Sequence, residues 1–273
     1  MNPKPDPSAQ PPALTTAFVC LPMYDPPWLH AQHDALWSLI RADLVETGLS
    51  SLPRHLRRES DYASSWTDPA LLLGQTCGYP YVSRLRGRVK LVCTPCYSAE
   101  GCSGPCYRSL LITGHRNGNS LMDFEDRRFV ANDPDSLSGY KTVEMMLPDG
   151  LGIKGFFNRE IFSGGHLQSI QQIKTGLADI AAIDCVTWAL TRRYQPHLIK
   201  GLRIIEEGPL LPALPLITSA QSSEDTLTAL QTVLCNMSAH RDLLIDGYRI
   251  LQDEDYDVIR TRLEERANAL FTS

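Results

Sequence analysis

The alternation of short apolar runs with longer runs of helical period most constrains this chain, and it is clearest around Gly176. Leu167 to Thr175 carries helical spacing and stops at Gly176, a residue suited to the left-handed backbone that ends a helix. Leu177 to Ile183 is then a short apolar run of the buried-strand type, Asp184 stands just past it, and Val186 to Arg193 returns to helical spacing. The same grammar recurs. Strands are expected at Leu14 to Leu21, Leu52 to Arg57, Leu71 to Gln75, Val89 to Cys93, Arg108 to Thr113, Phe129 to Asn132, Leu202 to Glu206 and Leu214 to Thr218. Helices are expected at Trp28 to Glu46, closed by Gly48, and at Ser138 to Leu147. A helical tail follows over Ser223 to Ser238 and Asp253 to Phe271. This alternation predicts an α/β protein of two lobes with a C-terminal helical return.

The 273 residues suffice for two ordinary domains or one large one. The chain is 43% hydrophobic and 21% charged, the composition of a soluble globular protein. Its net charge of −5, with no long basic run, argues against nucleic acid as a partner. No apolar run approaches the roughly 20 residues that span a bilayer. The lead from Met1 to Pro12 is Pro-rich and polar and lacks the pattern of a signal peptide, so the chain as written reads as cytoplasmic.

Of the eight cysteines, Cys93, Cys96, Cys102 and Cys106 lie close together. Their spacing admits a structural zinc, free thiols, or a disulfide such as Cys102–Cys106, with the separation between the pairs short for a zinc ribbon. Cys20, Cys77, Cys185 and Cys235 have no regular spacing and read as small buried hydrophobes.

Chemistry concentrates at strand ends, where open α/β sheets hold their ligands. The segment Arg127 to Tyr140 reads as a strand, a turn and a hydroxyl-rich helix start. Ser136 and Ser138 add donors to the free N–H groups there, and Gly139 lets a ligand approach the backbone near Tyr140. An ordinary N-cap explains the same residues. His166 opens a helix after Ser163-Gly164-Gly165 and suits either a second anion contact or a surface position. Asp184 suits either a ligand acceptor or the cap of the next helix. Tyr24, Gln75, Tyr79 and Tyr97 follow strands and can wall a pocket or simply pack. Trp66 and Trp188 read as core. Arg127 and Arg128 read as a solvated edge despite their appeal as phosphate ligands. No nucleophile elbow, phosphate-binding loop or zinc-protease helix motif is present. Cys102 with His166 or His115 is the one thiol–imidazole pair worth naming.

Five segments in order carry a likeness: Leu73 to Pro80, Tyr97 to Cys102, Asn132 to Tyr140, Ser163 to Ser169 and Gly176 to Asp184. Together they resemble the phosphate, phosphite and phosphonate substrate-binding proteins of ABC transporters, over roughly Thr16 to Thr218. The resemblance implies a two-lobed type II periplasmic-binding fold with two crossing strands and a ligand in the cleft. Residues 14–109 plus 205–273 would form the first lobe, 110–204 the second, and 1–13 a lead. It implies that Ser136, Ser138 and Gly139 hold phosphoryl oxygens, that His166 and Asp184 face the cleft from the second lobe, and that Tyr24, Gln75 and Tyr79 face it from the first. It also implies a permease partner, a monomer, no cofactor and a periplasmic setting. The expected function is binding of a small phosphorus oxyanion, a phosphonate, phosphate or phosphate ester. An enzyme on the same scaffold acting through Cys102 or His166, or a cytoplasmic ligand sensor, are the alternatives.

Overall fold

The computed structural model describes residues 16–58, 61–114 and 118–272. His115 and the lead at 1–13 lie outside them. Among the described residues the strands are β1 (Phe18–Cys20), β2 (Leu71–Gln75), β3 (Val89–Tyr97), β4 (Cys106–Tyr107), β5 (Ser109–Thr113), β6 (Arg128–Ala131), β7 (Arg159–Phe162), β8 (Ile180–Asp184), β9 (Arg203–Glu207), β10 (Leu211–Pro212), β11 (Leu216–Ser219) and β12 (Ile245–Arg249). The longer helices are α1 (His30–Glu46), α2 (Thr142–Met146), α3 (His166–Lys174), α4 (Cys185–Tyr194), α5 (Glu224–Asn236) and α6 (Asp257–Thr272).

Leu71–Gln75, Ser109–Thr113 and Ile180–Asp184 are buried at every position. Strands covered on both faces have no solvent side to mark with polar residues, which is why they read as unbroken apolar runs. They stand inside two five-stranded sheets, ordered β1-β2-β11-β3-β12 and β7-β6-β8-β5-β9. In the first, β1 runs parallel to β2, while β11 pairs antiparallel with β2 and β3. In the second, β6 runs parallel to β7 and β8, and β5 pairs antiparallel with β8 and β9. The chain passes between the sheets along β4 and β10, which pair antiparallel, Tyr107 opposite Leu211 and Cys106 opposite Pro212. Two lobes joined by two crossing strands form a type II periplasmic-binding architecture. Strand β9 spans the expected boundary at 204/205 and belongs wholly to the second sheet.

Two hydrophobic cores hold the layers. The larger runs from Trp37 and Ile40 of α1 through the first sheet and on to Val130 and Ile183 of the second. The smaller packs Phe129, Val143, Phe156 and Phe157 on one face of the second sheet, with the Phe129 and Phe157 rings stacked at 4.8 Å. Trp66 and Trp188 are buried, as expected.

Several expectations are corrected. Leu52 to Arg57 forms no strand, because Pro53 lacks the N–H a ladder needs, and the segment makes one sheet-like bond, Arg57 N–H to the Val19 carbonyl at 2.7 Å. The helix expected at Ser138 to Leu147 opens as a wide π turn over Leu137–Lys141 before α2. Arg128 is paired as well as solvated: it donates to Asp179 Oδ1 at 2.6 Å and Oδ2 at 2.8 Å. No disulfide joins any of the eight cysteines, and no metal-holding group occurs among the described residues. Cys102 does not face Cys106. Ser103 and Cys106 close a tight turn, and the Cys102 sulfur lies 3.4 Å from that of Cys185. No helix among the described residues is long and apolar enough to cross a membrane.

Candidate functional site

Strand β6 ends at Ala131, and the turn that follows decides the site. Asp133 accepts the Asp135 N–H at 2.7 Å, and the chain then swings into Ser136 in extended conformation. The Ser136 hydroxyl accepts the Gly139 N–H at 3.0 Å, and its carbonyl accepts those of Tyr140 and Lys141 at 3.1 and 3.0 Å. Ser136 is therefore a cap, as its residue type favours. A Cβ at Gly139 would fall 1.7 Å from Asn132 Oδ1, so a larger residue there would displace the Asn132 side chain. The turn leaves Ser138 on the open side, its Oγ 2.9 Å from His166 Nε2.

His166 is the first residue of α3. The chain reaches it through Gly164 at φ +87°, a left-handed conformation that glycine adopts without strain. Asp184 ends β8 and caps α4, accepting the Thr187 N–H at 2.7 Å and the Thr187 hydroxyl at 2.6 Å. Its Oδ2 also stands 3.2 Å from His166 Nε2. Ser138, His166 and Asp184, far apart in sequence, thus meet at one imidazole nitrogen. Ser136, Ser138, His166 and Asp184, each at a helix start, line the same cavity, and the first N–H groups of α3 have no partner within their own helix, whereas those of Leu137, Gly139, Cys185 and Thr187 are taken by Cys77, Ser136, Arg108 and Asp184.

That cavity, of about 510 Å³, lies between the sheets, with Ser136, Ser138, His166 and Asp184 on one side and Tyr24, Trp66 and Leu214 on the other. The Tyr24 hydroxyl is buried and makes no hydrogen bond, and its ring meets Tyr97 edge-on at 5.3 Å. Gln75 and Tyr97 stand behind it: Gln75 Nε2 donates to the Tyr97 hydroxyl at 3.2 Å and to the Leu214 carbonyl at 3.4 Å. Tyr79 and Tyr140 stand outside the cavity. Tyr79 lies under the Lys141 ammonium, 5.0 Å from ring centre, beside α6, and Tyr140 donates its hydroxyl to Glu160 at 2.7 Å.

Burial pushes the His166 imidazole below its ordinary value, with Asp184 pulling the other way, so the ring is neutral at neutral pH. Burial, reinforced by the Asp184 charge, pushes the Tyr24 phenol well up. The lining carboxylates are Asp25, Asp61, Asp133, Asp135 and Asp184, while Arg84 is the one guanidinium or ammonium among the described lining residues. Arg84 is engaged by Asp135 at 2.9 Å. Asp25 is held below the usual carboxylate range by His33 and Arg58, against the opposing effect of its burial. This cleft offers an anion neutral donors and the start of α3 rather than cations.

Sequence reasoning missed several contributors. Asn132, with Oδ1 buried and unpartnered, follows an apolar run at a strand end and was findable by the same rule as Asp184. Trp66, expected as core, also lines the cavity with Trp28 and Tyr62, and Cys77 reaches across to accept the Leu137 N–H at 3.4 Å. Only the fold brings these together.

Residues 19–256 match the model of a protein family described as ABC transporter, phosphonate, periplasmic substrate-binding protein. The chain belongs to this family. Among solved structures it is similar to a binding protein component of an ABC phosphonate transporter from Pseudomonas aeruginosa, at 17% identity and TM-score 0.75, covering 93% of this chain and 87% of that one. PhnD1 from Prochlorococcus marinus in complex with methylphosphonate aligns at 16% identity and TM-score 0.69, covering 92% and 98%. A Xanthomonas citri protein bound to ATP aligns at 14% identity and TM-score 0.64, covering 94% and 98%. No curated protein matches the chain. Family membership makes this a substrate-binding component of the phosphonate transport type, and the structural likenesses share its fold.

Proposed function

We propose that the cavity binds the phosphoryl head of a small phosphonate or phosphate ester, and that the loaded protein delivers it to an ABC permease. The meeting of Ser138, His166 and Asp184 at the mouths of three helices carries this reading. Ser136 and Ser138 donate their hydroxyls to phosphoryl oxygens, and the N–H groups opening α3 add a second set. Asp184 accepts from a ligand proton, a P–OH or an amine. The excess of carboxylates over cations in the lining supports a ligand that arrives as a monoanion or zwitterion rather than a dianion. Tyr24, from the opposite side, offers its unpartnered hydroxyl, so a bound ligand would touch both sides and favour their closure.

Calorimetry with methylphosphonate as probe tests this. Replacing Ser136 and Ser138 together by Ala should weaken binding by about 2 kcal/mol or more, since each hydrogen bond to a charged group contributes roughly 1.5–3 kcal/mol. Unchanged affinity in the double variant would overturn the assignment. Capture of the loaded protein by a permease in native membranes tests delivery separately.

A further inference from the structure

The loop between β3 and β4 runs flush against the start of α4. Gly101 turns there at φ +95°, and a Cβ added to it would lie 3.1 Å from the Cys185 Cβ. The next residue, Cys102, is half-buried, while Cys185 is fully buried. Their sulfurs are 3.4 Å apart, although the residues stand 83 positions apart in sequence. A disulfide places its sulfurs at about 2.05 Å, so closure requires a relative movement of roughly 1.4 Å. Each backbone is hydrogen-bonded: the Cys102 N–H donates to the Ala99 carbonyl at 3.0 Å, and the Cys185 N–H to the Arg108 carbonyl at 3.0 Å.

We propose that Cys102 and Cys185 are a site of reversible oxidation, forming a disulfide that fastens the loop ahead of crossing strand β4 to the first turn of α4. Cys185 directly follows Asp184, the cap of α4 and a wall of the ligand cavity. The bridge therefore ties a segment leading into the crossing strands to the backbone beside the ligand.

The co-reactant is a small peroxide. The Cys102 thiol, the one solvent reaches, loses its proton, and its thiolate attacks one oxygen of hydrogen peroxide. The S–O bond forms as the O–O bond breaks, and hydroxide leaves and is protonated to water. The Cys185 sulfur then attacks the Cys102 sulfur of the sulfenic acid, the S–S bond forms as the S–O bond breaks, and the departing hydroxide takes up the proton Cys185 gives up and leaves as a second water. Two thiols lose two electrons and one peroxide is reduced to two waters. The neighbouring Cys185, burial and the Asp184 charge all push the Cys102 thiol up, so the reaction should quicken as pH rises.

The experiment treats the full chain with hydrogen peroxide at pH 7 and pH 9, digests it without reduction and maps the linked peptides by mass spectrometry. The expected product joins the Cys102 and Cys185 peptides with loss of two hydrogens, forms faster at pH 9, and reverts with dithiothreitol. Cys102→Ser, at a half-exposed position, should lose that product, whereas Cys106→Ser should keep it. Oxidised wild type should show a raised thermal midpoint that Cys102→Ser does not. Linkage of Cys102 to Cys106 instead, or conversion of Cys102 to sulfinic acid with Cys185 still free, would overturn the proposal. These readouts need no ligand, so they stand apart from the binding assignment.

Discussion

His166 Nε2 stands 2.9 Å from Ser138 Oγ and 3.2 Å from Asp184 Oδ2, so one neutral ring joins the hydroxyl turn after β6 to the carboxylate after β8. Its protonation state couples the site to pH. The folded value lies below the ordinary imidazole value of 6.5. Between the two, the unfolded chain binds a proton that the folded chain does not, so unfolding free energy falls as pH drops through that window and levels off below the folded value. His240, also lowered by burial, acts in the same direction. Urea unfolding between pH 7.5 and 5 should show declining stability, and His166→Gln should flatten the decline without abolishing it. An equally steep decline in His166→Gln would refute the assignment.

Asp184 caps α4 and, in the proposed function, also faces the ligand, and two substitutions separate the roles. Asp184→Ala removes both bonds to Thr187 and should cost about 1–2 kcal/mol of stability, as loss of a cap does. Asp184→Asn keeps an acceptor for the Thr187 N–H and should cost less. Both should weaken methylphosphonate binding at least tenfold, about 1.4 kcal/mol. Chemical denaturation and calorimetry on the same preparations decide, and full binding by Asp184→Asn would leave the residue a cap alone.

Tyr24 gives opposite signs for stability and binding. Its hydroxyl is buried and makes no hydrogen bond, a cost that Tyr24→Phe removes. The variant should be about 1 kcal/mol more stable than wild type and yet bind methylphosphonate more weakly. A stability loss in Tyr24→Phe would show that the hydroxyl already has a partner.

Arg266 anchors the C-terminal helix to the second sheet's side. Its guanidinium donates to the carbonyls of Glu144, Pro148 and Leu151 and to Asp149, and the residue is 6% exposed. Arg266→Ala leaves these acceptors unserved and should destabilise by about 3 kcal/mol, measured by urea unfolding. Arg266→Lys should recover little, because a single ammonium cannot reach four acceptors spread around a planar fork.

How much of this was legible follows from where each signal resides. Leu71–Gln75 and Ile180–Asp184 are buried on both faces, and an apolar run is the direct imprint of that burial. Ile245–Arg249 left no such imprint: it lies at the sheet edge with a polar or glycine residue at three of its five positions, so its pattern is that of a loop. Ser138, His166 and Asp184 were readable because each stands where a strand or glycine turn meets a helix. Tyr140 was misplaced for a local reason. The π turn over Leu137–Lys141 rotates its ring toward Phe129 and Phe162, and helical spacing does not announce an added residue in a turn. Tyr79 follows a strand like Tyr24 does, and only the packing of α6 and Lys141 shows that it faces away.

Every strand of the second sheet comes from one uninterrupted stretch, residues 109–207. The two ends of that stretch are immediate neighbours, since the Gly208 N–H donates to the Ser109 carbonyl at 2.8 Å and Leu211 pairs with Tyr107. In topological terms it is an insert, entering and leaving the host through one doorway. A segment of that kind is exchangeable. The Ser136–Ser138 turn and the caps travel together, while the aromatic wall of Tyr24 and Trp66 stays behind with the host; under the proposed function, head-group chemistry and organic-group selectivity would diverge independently.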